Sequence, residues 1–463
     1  MNERIRPQVI GAIVATGLMS FCGVIVETAM NITFPTLMRE FNVPTNTVQW
    51  LTTLYLLVVA SMVPMSATLK RRFKTRTLFL WAISLFILGV ILDGAAPQFW
   101  VLLLGRAVQG LGTGIALPLM FNIILEQVPA SKVGTMMGVG TLITGIAPAI
   151  GPTFGGFIVS SLNWRYIFVF LLPVLVLALI LGLLCIEQKH APVPASIDGL
   201  SVGLIVITFC GLIYGISNFG GQPLISWSVA GALVIGIIAL TLFVLRSARI
   251  DQPIINLALL RKPLFTVSIL AFACLQIAAL ALSFLMPNYI QLVNHNSALV
   301  AGLVLLPGAA IGAAVSPVGG RLLDQSGPKL PLRVGALFVL VGIVGMFITG
   351  ERLSNPLIIG WYTAFMVGIG ISFGDLMTTG LQQVHKQEQS DGNALFNTTQ
   401  QFTAALGTSL ASTIVAAGQA GTHNLVQGTT AGTVNALGVV VAIAAAETIL
   451  VWVLTARVPS GQQ

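Results

Sequence analysis

Charge is what this chain has least of. Of its 463 residues only 8% are charged, against 56% that are hydrophobic. Soluble globular chains run to about 25% charged, so a water-soluble protein is excluded. Cysteine is scarce too. Cys22, Cys185, Cys210 and Cys274 all fall within or at the edge of apolar segments, with neither metal-ligand spacing nor extracellular pairing. They read as small buried hydrophobes. No Gly-Lys dipeptide occurs, which rules out a phosphate-binding P-loop and a built-in ATPase. There is no His-Glu-x-x-His, and none of the four histidines has a metal partner at helical spacing, so no metal is expected. A paired nucleophile and base is also missing, which argues against an intramembrane enzyme. No loop exceeds roughly twenty residues, too few for the soluble output domain of a sensor or scaffold. With no cofactor implied, energy must come from an ion gradient or from the substrate's own gradient.

What is present is a succession of apolar runs, each long enough to cross a hydrocarbon core of about 30 Å. An integral, polytopic, all-α membrane protein follows, multi-pass in a bilayer. The first run is too long for a cleavable signal peptide and no small-residue cleavage site follows it, so it is expected to be a span. We expect fourteen spans, at 10–35, 47–67, 77–96, 99–125, 133–160, 164–185, 199–218, 225–246, 264–288, 298–320, 331–350, 356–381, 391–416 and 434–455. An even count puts both termini on one side. Of the 22 Lys and Arg, three (Arg39, Arg165, Arg352) fall in loops on the far side and one (Arg106) within a span. The remainder share the side of the termini, which the positive-inside rule makes cytoplasmic. The net charge of +8 therefore reflects orientation and not a nucleic-acid partner. The densest basic cluster, Lys70-Arg71-Arg72 with Lys74 and Arg76, suits an anchor beside anionic lipid.

The chain also repeats itself. Pro64 to Leu78, after the second span, corresponds to Pro317 to Leu330, after the tenth. The second copy carries Gly320, Asp324 and Gly327. Its glycines allow a tight turn and close helix contact, and its aspartate can cap a helix or pair with a base. In the first copy Ala67 replaces the glycine, Arg71 stands where the aspartate belongs, and Lys74 replaces the second glycine. The repeat implies two six-helix bundles, 1–190 and 251–463. Between them, spans seven and eight form an inserted pair, 191–250, with polar, proline-containing linkers at its edges.

The fifth apolar run contains Gly145, Pro148, Gly151, Pro152, Gly155 and Gly156. Such residues ruin a soluble helix but are tolerated in a membrane, where neighbouring helices re-satisfy the backbone. The glycines leave a strip where another helix can come close, and the two prolines, four apart, should bend the helix on one face. Elsewhere stand Glu27-Thr-Ala-Met-Asn31-Ile-Thr-Phe-Pro35, Leu104-Gly-Arg106-Ala-Val-Gln109-Gly110, Met286-Pro287-Asn-Tyr289-Ile-Gln291 running on to Leu306-Pro307-Gly308, and Asn393 to Gly407. The fifth-span stretch resembles the signature of proton-coupled exporters of the major facilitator superfamily. The loop Gly319 to Lys329 is similar to that superfamily's gating loop, and the other four stretches resemble its 14-span drug:proton antiporter branch. The resemblance covers nearly the whole chain. It implies a major facilitator fold, export in exchange for protons, and halves that rock about a central site.

Ionisable residues inside a membrane are functional candidates by default. Glu27, with Gly23 and Asn31 on its face, is the first proton or cation candidate. Asp375 is the second, its face extended by Ser372, Thr379 and Gln382. A carboxylate away from bulk water can load a proton from one side and release it when the site opens to the other. Glu447, flanked by alanines without a polar stripe, suits packing or snorkelling as well as proton coupling. Asp93 and Glu126 sit near span ends and are expected in solvent. Arg106 must meet an internal acid or a carbonyl cluster, and the resemblance places it at the proton-relay end of the first half. Asn393, Asn397, Gln400, Gln401 and Thr408 form a neutral polar stripe suited to a water-filled path or to hydrogen bonds between helices.

Tyr55, Phe121, Tyr289, Trp361, Tyr362 and Phe373 could offer ring faces to a cationic cargo, and Gln291 joins them in the expected substrate set. Trp50, Trp100 and Trp164 fall near span ends, where the interface belt is the favoured reading. The expected protein is a monomeric antiporter of small amphipathic, often cationic, molecules, driven by the proton motive force. A dedicated exporter of a native metabolite or lipid is the second reading.

Overall fold

The computed structural model describes residues 5–43, 45–48, 50–188, 198–218, 225–250 and 253–458. Among them, all regular structure is helical. Leaving aside two short helices, Thr45–Val48 and Ser66–Arg72, we number the long ones in chain order. They are α1 (Pro7–Phe41), α2 (Trp50–Met62), α3 (Thr75–Gly94), α4 (Phe99–Gln127), α5 (Val133–Ser161), α6 (Tyr166–Cys185) and α7 (Gly199–Ser217). They continue as α8 (Ala232–Ser247), α9 (Pro263–Leu292), α10 (Ala298–Ser326), α11 (Lys329–Ile348), α12 (Asn355–Leu381), α13 (Gln389–Ala420) and α14 (Leu425–Arg457). After α2 the chain tightens through a 3-10 turn at Val63–Met65, centred on Pro64, before Ser66–Arg72.

Twelve helical stretches of described residues are long and apolar enough to cross a membrane, where fourteen were expected. The two outside that set are α5 and α13, of 29 and 32 residues. Helix α13 carries the stripe of Asn, Gln and Thr, which lowers its apolarity. Both pack within the bundle all the same.

Helices α1, α4, α5 and α6 pack together, with α2 and α3 on α4; α9 gathers α12, α13 and α14, and α11 joins α12 and α14. An aromatic knot ties the second group: Phe272 of α9 lies 4.9 Å from Phe373 and 5.2 Å from Phe396, ring centre to ring centre. Across the seam, α5 packs along α10 and α12, and α13 reaches α2 and α4. Helices α7 and α8 hold chiefly to each other, and α7 touches α2 on one half and α13 on the other.

The fifth-helix stretch divides its glycines between two surroundings. A Cβ at Gly155 would lie 2.9 Å from the Ala29 backbone, and one at Gly151 would collide with Thr28. These two bring α5 against α1. Gly145 and Gly156 face open space. Helix α5 is continuous over Val133–Ser161, but the side chains of Pro148 and Pro152 lie outside the described residues, and so does the bend expected of them.

At the end carrying the basic loops, α5 and α10 meet backbone to backbone. A Cβ at Gly138 would sit 2.8 Å from Pro317 Cα, and one at Gly320 would strike the Gly134 carbonyl. Gly327, with φ +74°, then turns the chain into α11 in a conformation that glycine adopts without strain.

Candidate functional site

Arg106, about two turns into α4, is fully buried. Its Nε donates to the Leu51 carbonyl at 3.1 Å and its Nη1 to Gln109 Oε1 at 2.9 Å. Its guanidinium lies 4.2 Å from the centre of the Tyr55 ring. Gln109 passes the contact on, donating from Nε2 to Asp93 Oδ2 at 2.8 Å. On the other flank Tyr55 Oη donates to the Gly23 carbonyl at 3.2 Å and shares a hydrogen bond with the Thr113 hydroxyl at 3.0 Å. Glu27, one turn along α1 from Gly23, lies within electrostatic reach of both Arg106 and Tyr55. One buried cation thus stands between two carboxylates, Asp93 through an amide and Glu27 past a phenol ring. The network joins α1, α2, α3 and α4.

Asp93 corrects the sequence reading, which placed it in solvent. It is fully buried, because Gly105 on α4 has no side chain and the carboxylate fills that gap. Glu126 corrects it as well. It pairs with Lys70 at 2.6 Å in a partly buried contact, since the segment after Pro64 folds back across the end of α4. Trp164 is a third correction. It is 1% exposed and donates to Glu40 Oε2 at 2.6 Å, so it closes the first bundle from inside. Trp50 and Trp100 remain exposed at helix ends.

In the second half Asp375 is 1% exposed, and its Oδ2 has no hydrogen-bond partner among the described residues. Ser372 Oγ and Thr379 Oγ1 on the same helix are likewise buried and unpartnered, while Gln382 is exposed at the basic end. The charge felt at Asp375 is that of Asp324 on α10. Glu447 is fully buried on α14, neither oxygen partnered among the described residues, within electrostatic reach of Cys274 on α9. Its full burial excludes snorkelling.

Asp324 accepts from Gly134 N at 2.8 Å, Thr135 N at 2.7 Å and Thr135 Oγ1 at 2.6 Å. Helix N-termini leave backbone donors unpaired and favour negative charge, so this carboxylate clamps α10 to the start of α5. Nearby, Asn393 Nδ2 of α13 donates to the Pro118 carbonyl at 3.0 Å and to Asn122 Oδ1 at 2.9 Å, both on α4. Asn397 Nδ2 donates to Asn393 Oδ1 at 2.7 Å. The polar stripe on α13 therefore ends in a seal between the halves.

The expected substrate residues are not all gathered. Glu27 and Tyr55 share the Arg106 network. Phe121 is buried with its ring edge 3.2 Å from where a Cβ on Gly140 would be. Tyr289 is buried and donates to the Gly350 carbonyl at 3.0 Å. Gln291 is exposed and bonds its own helix at Pro287 O. Trp361 packs into the space left by Gly345 on α11. Gln401 is half-buried on α13, and the Asn31 side chain lies outside the described residues. Sequence reasoning missed Gln109, Thr113 and Asn122 as partners. Gln109 was within a quoted motif, but only the spatial neighbour Asp93 shows what it carries.

A model of the Major Facilitator Superfamily matches residues 16–408, so the chain belongs to that superfamily of membrane transporters. It is 40% identical over 408 residues to the lincomycin resistance protein LmrB of Bacillus subtilis (strain 168), covering 87% of this chain and 84% of that one. It is 25% identical over 393 residues to the multidrug resistance protein B homolog of Mycobacterium tuberculosis (strain ATCC 25618 / H37Rv), covering 84% and 73%. A crystal structure of the human organic anion transporter MFSD10 (TETRAN) shares the fold, with TM-score 0.66 at 13% identity, over 96% of this chain and all of that one.

Proposed function

We propose that this protein is a multidrug exporter of the bacterial cytoplasmic membrane, trading protons for small amphipathic, often cationic, molecules by alternating access. The observation that carries the reading is the buried Arg106 network with a carboxylate on each flank, in a chain whose relatives bear the names of drug-resistance proteins. A carboxylate away from water needs a proton or a cation beside it. Cargo and proton therefore compete for Glu27 and Asp375, which is the logic of exchange. A proton reaching Glu27 removes one of the charges that hold Arg106, and the guanidinium is left to Asp93 and the Tyr55 ring. That change of balance between α1 and α4 is what would start the halves tilting. Glu447 is a third proton candidate in the second half. In this reading α5 and α13 also span the bilayer, giving fourteen crossings with both termini and the basic loops in the cytoplasm, and the monomer is the working unit.

Everted membrane vesicles with an acidic lumen, offered lincomycin and a quaternary ammonium dye, test the proposal. Uptake should follow the pH gradient and collapse with a protonophore. Glu27→Gln and Asp375→Asn should each abolish it; full activity in both variants would remove the exchange scheme.

A further inference from the structure

The loop that departs from its repeat poses the question. At the second copy a carboxylate, Asp324, sits on the N-terminus of α5. The counterpart of α5 in the other half is α13, and the counterpart of Asp324 is Arg71. A cation placed on a helix N-terminus would be repelled by the helix dipole. The structure shows how the mismatch is resolved. Asp391, in the first turn of α13, turns its carboxylate to the loop, with Oδ2 3.5 Å from Arg71 Nη1 and only 5% of the residue exposed. The neighbouring Lys70 donates from Nζ to Ser390 Oγ at 3.1 Å while holding Glu126 of its own half at 2.6 Å.

A third segment lies over this junction. Arg71 Nη2 donates to the Pro253 carbonyl at 3.2 Å, and Thr68 Oγ1 to the Ile254 carbonyl at 3.3 Å. Pro253 and Ile254 belong to the connection from α8 to α9. The far end of that connection is tied to the other side of the seam, where Lys262 Nζ meets Glu388 Oε2 at 2.6 Å just ahead of α13. The connection thus crosses from the first-half loop to the foot of α13.

We propose that Arg71 and Asp391 form a latch between the halves whose polarity is reversed relative to Asp324 on α5, and that the α8–α9 connection is a strap holding it shut. The base sits on the loop and the acid on the helix, so α13 keeps the negative charge that its N-terminus favours. The loop therefore holds its end closed without the aspartate, and Arg71 acts as a positioning residue. This rests on reading the chain as an alternating-access transporter, but its test is a distance and not a transport rate, so either reading can fail alone.

The test places spin labels at Lys74→Cys and Lys386→Cys, both exposed and on opposite sides of the seam, in a variant with the four native cysteines replaced. Double electron–electron resonance in nanodiscs then reads the closed and open populations. Arg71→Asp sets two carboxylates face to face and should lower the closed-to-open ratio by about fivefold or more. Arg71→Gln, a milder change, should lower it less. Arg71→Asp combined with Asp391→Asn should restore the closed population, because the new carboxylate can then cap α13 as Asp324 caps α5. An unchanged distance distribution in Arg71→Asp and Arg71→Gln would overturn the latch. A double variant as open as Arg71→Asp alone would overturn the reversed polarity.

Discussion

At the scale of single residues, the decisive arrangement is the cation between two acids. Arg106 makes two directional bonds and one ring contact from a planar group, and a lysine cannot meet all three. Arg106→Lys should therefore reach the membrane and fail to transport, seen as normal expression with no vesicle uptake. Arg106→Ala leaves the buried Asp93 without its countercharge, which costs about 3–5 kcal/mol. Its thermal unfolding midpoint in detergent should fall, and adding Asp93→Asn should recover part of the loss. Tyr55→Phe separates ring from hydroxyl. It keeps the face beneath Arg106 and gives up the bonds to Thr113 and the Gly23 carbonyl, a loss of about 1 kcal/mol. Transport in that variant should weaken without disappearing. The sequence exposed Arg106 and Glu27 because a charge within an apolar run stands out on its own. It hid Asp93, because a charge near the end of a run looks solvated until the glycine on the facing helix is known.

Among elements, close approach and end-to-end charge do most of the work. Gly151 and Gly155 seat α5 on α1, whereas Gly145 faces open space. Gly155→Leu should drive the two helices apart and abolish export, while Gly145→Ala should leave drug resistance in a growth assay unchanged. The signature stretch was legible as a packing face; which of its glycines touch α1 was not, since that depends on the rotation of α5. The inserted pair is fastened differently. Asp198 caps α7 and accepts from Arg246 of α8 at 2.6 and 2.9 Å. Hydrogen bonds from Arg246 and then Ser201 hold its carboxyl below the usual carboxylate range. A folded-state value below the unfolded one gives stability that is present above the ordinary aspartate range and is lost as pH falls through the lowered value. Asp198→Asn should thus show a small, salt-sensitive loss of thermal stability at neutral pH, and the gap to the parent protein should close as the solution is acidified.

For the whole molecule, the two loops that looked like one intact copy and one degraded copy turn out to be two fastenings at the same end. The repeat in sequence located both; their partners, the start of α5 and the first turn of α13, lie far away in the chain and could come only from the packing. Asp324→Asn should keep one acceptor and lose the negative charge at the start of α5. A cysteine placed near Gly134 should then react faster with a charged maleimide added from the basic side. Of the two crossings missing from the clearly apolar set, that of α13 has the same origin, because the helix that carries the inter-half seal is polar by necessity. Helix α7 adds a constraint of motion. It rests against α2 of one bundle and α13 of the other, with the Trp50 and Tyr214 rings stacked 5.9 Å apart at the first of these contacts. A body leaning on both sides of a hinge cannot travel with both, so each tilt must shear one of its two surfaces. The stacked rings mark one of those surfaces, and the emission of Trp50 should reveal on which side the slip occurs.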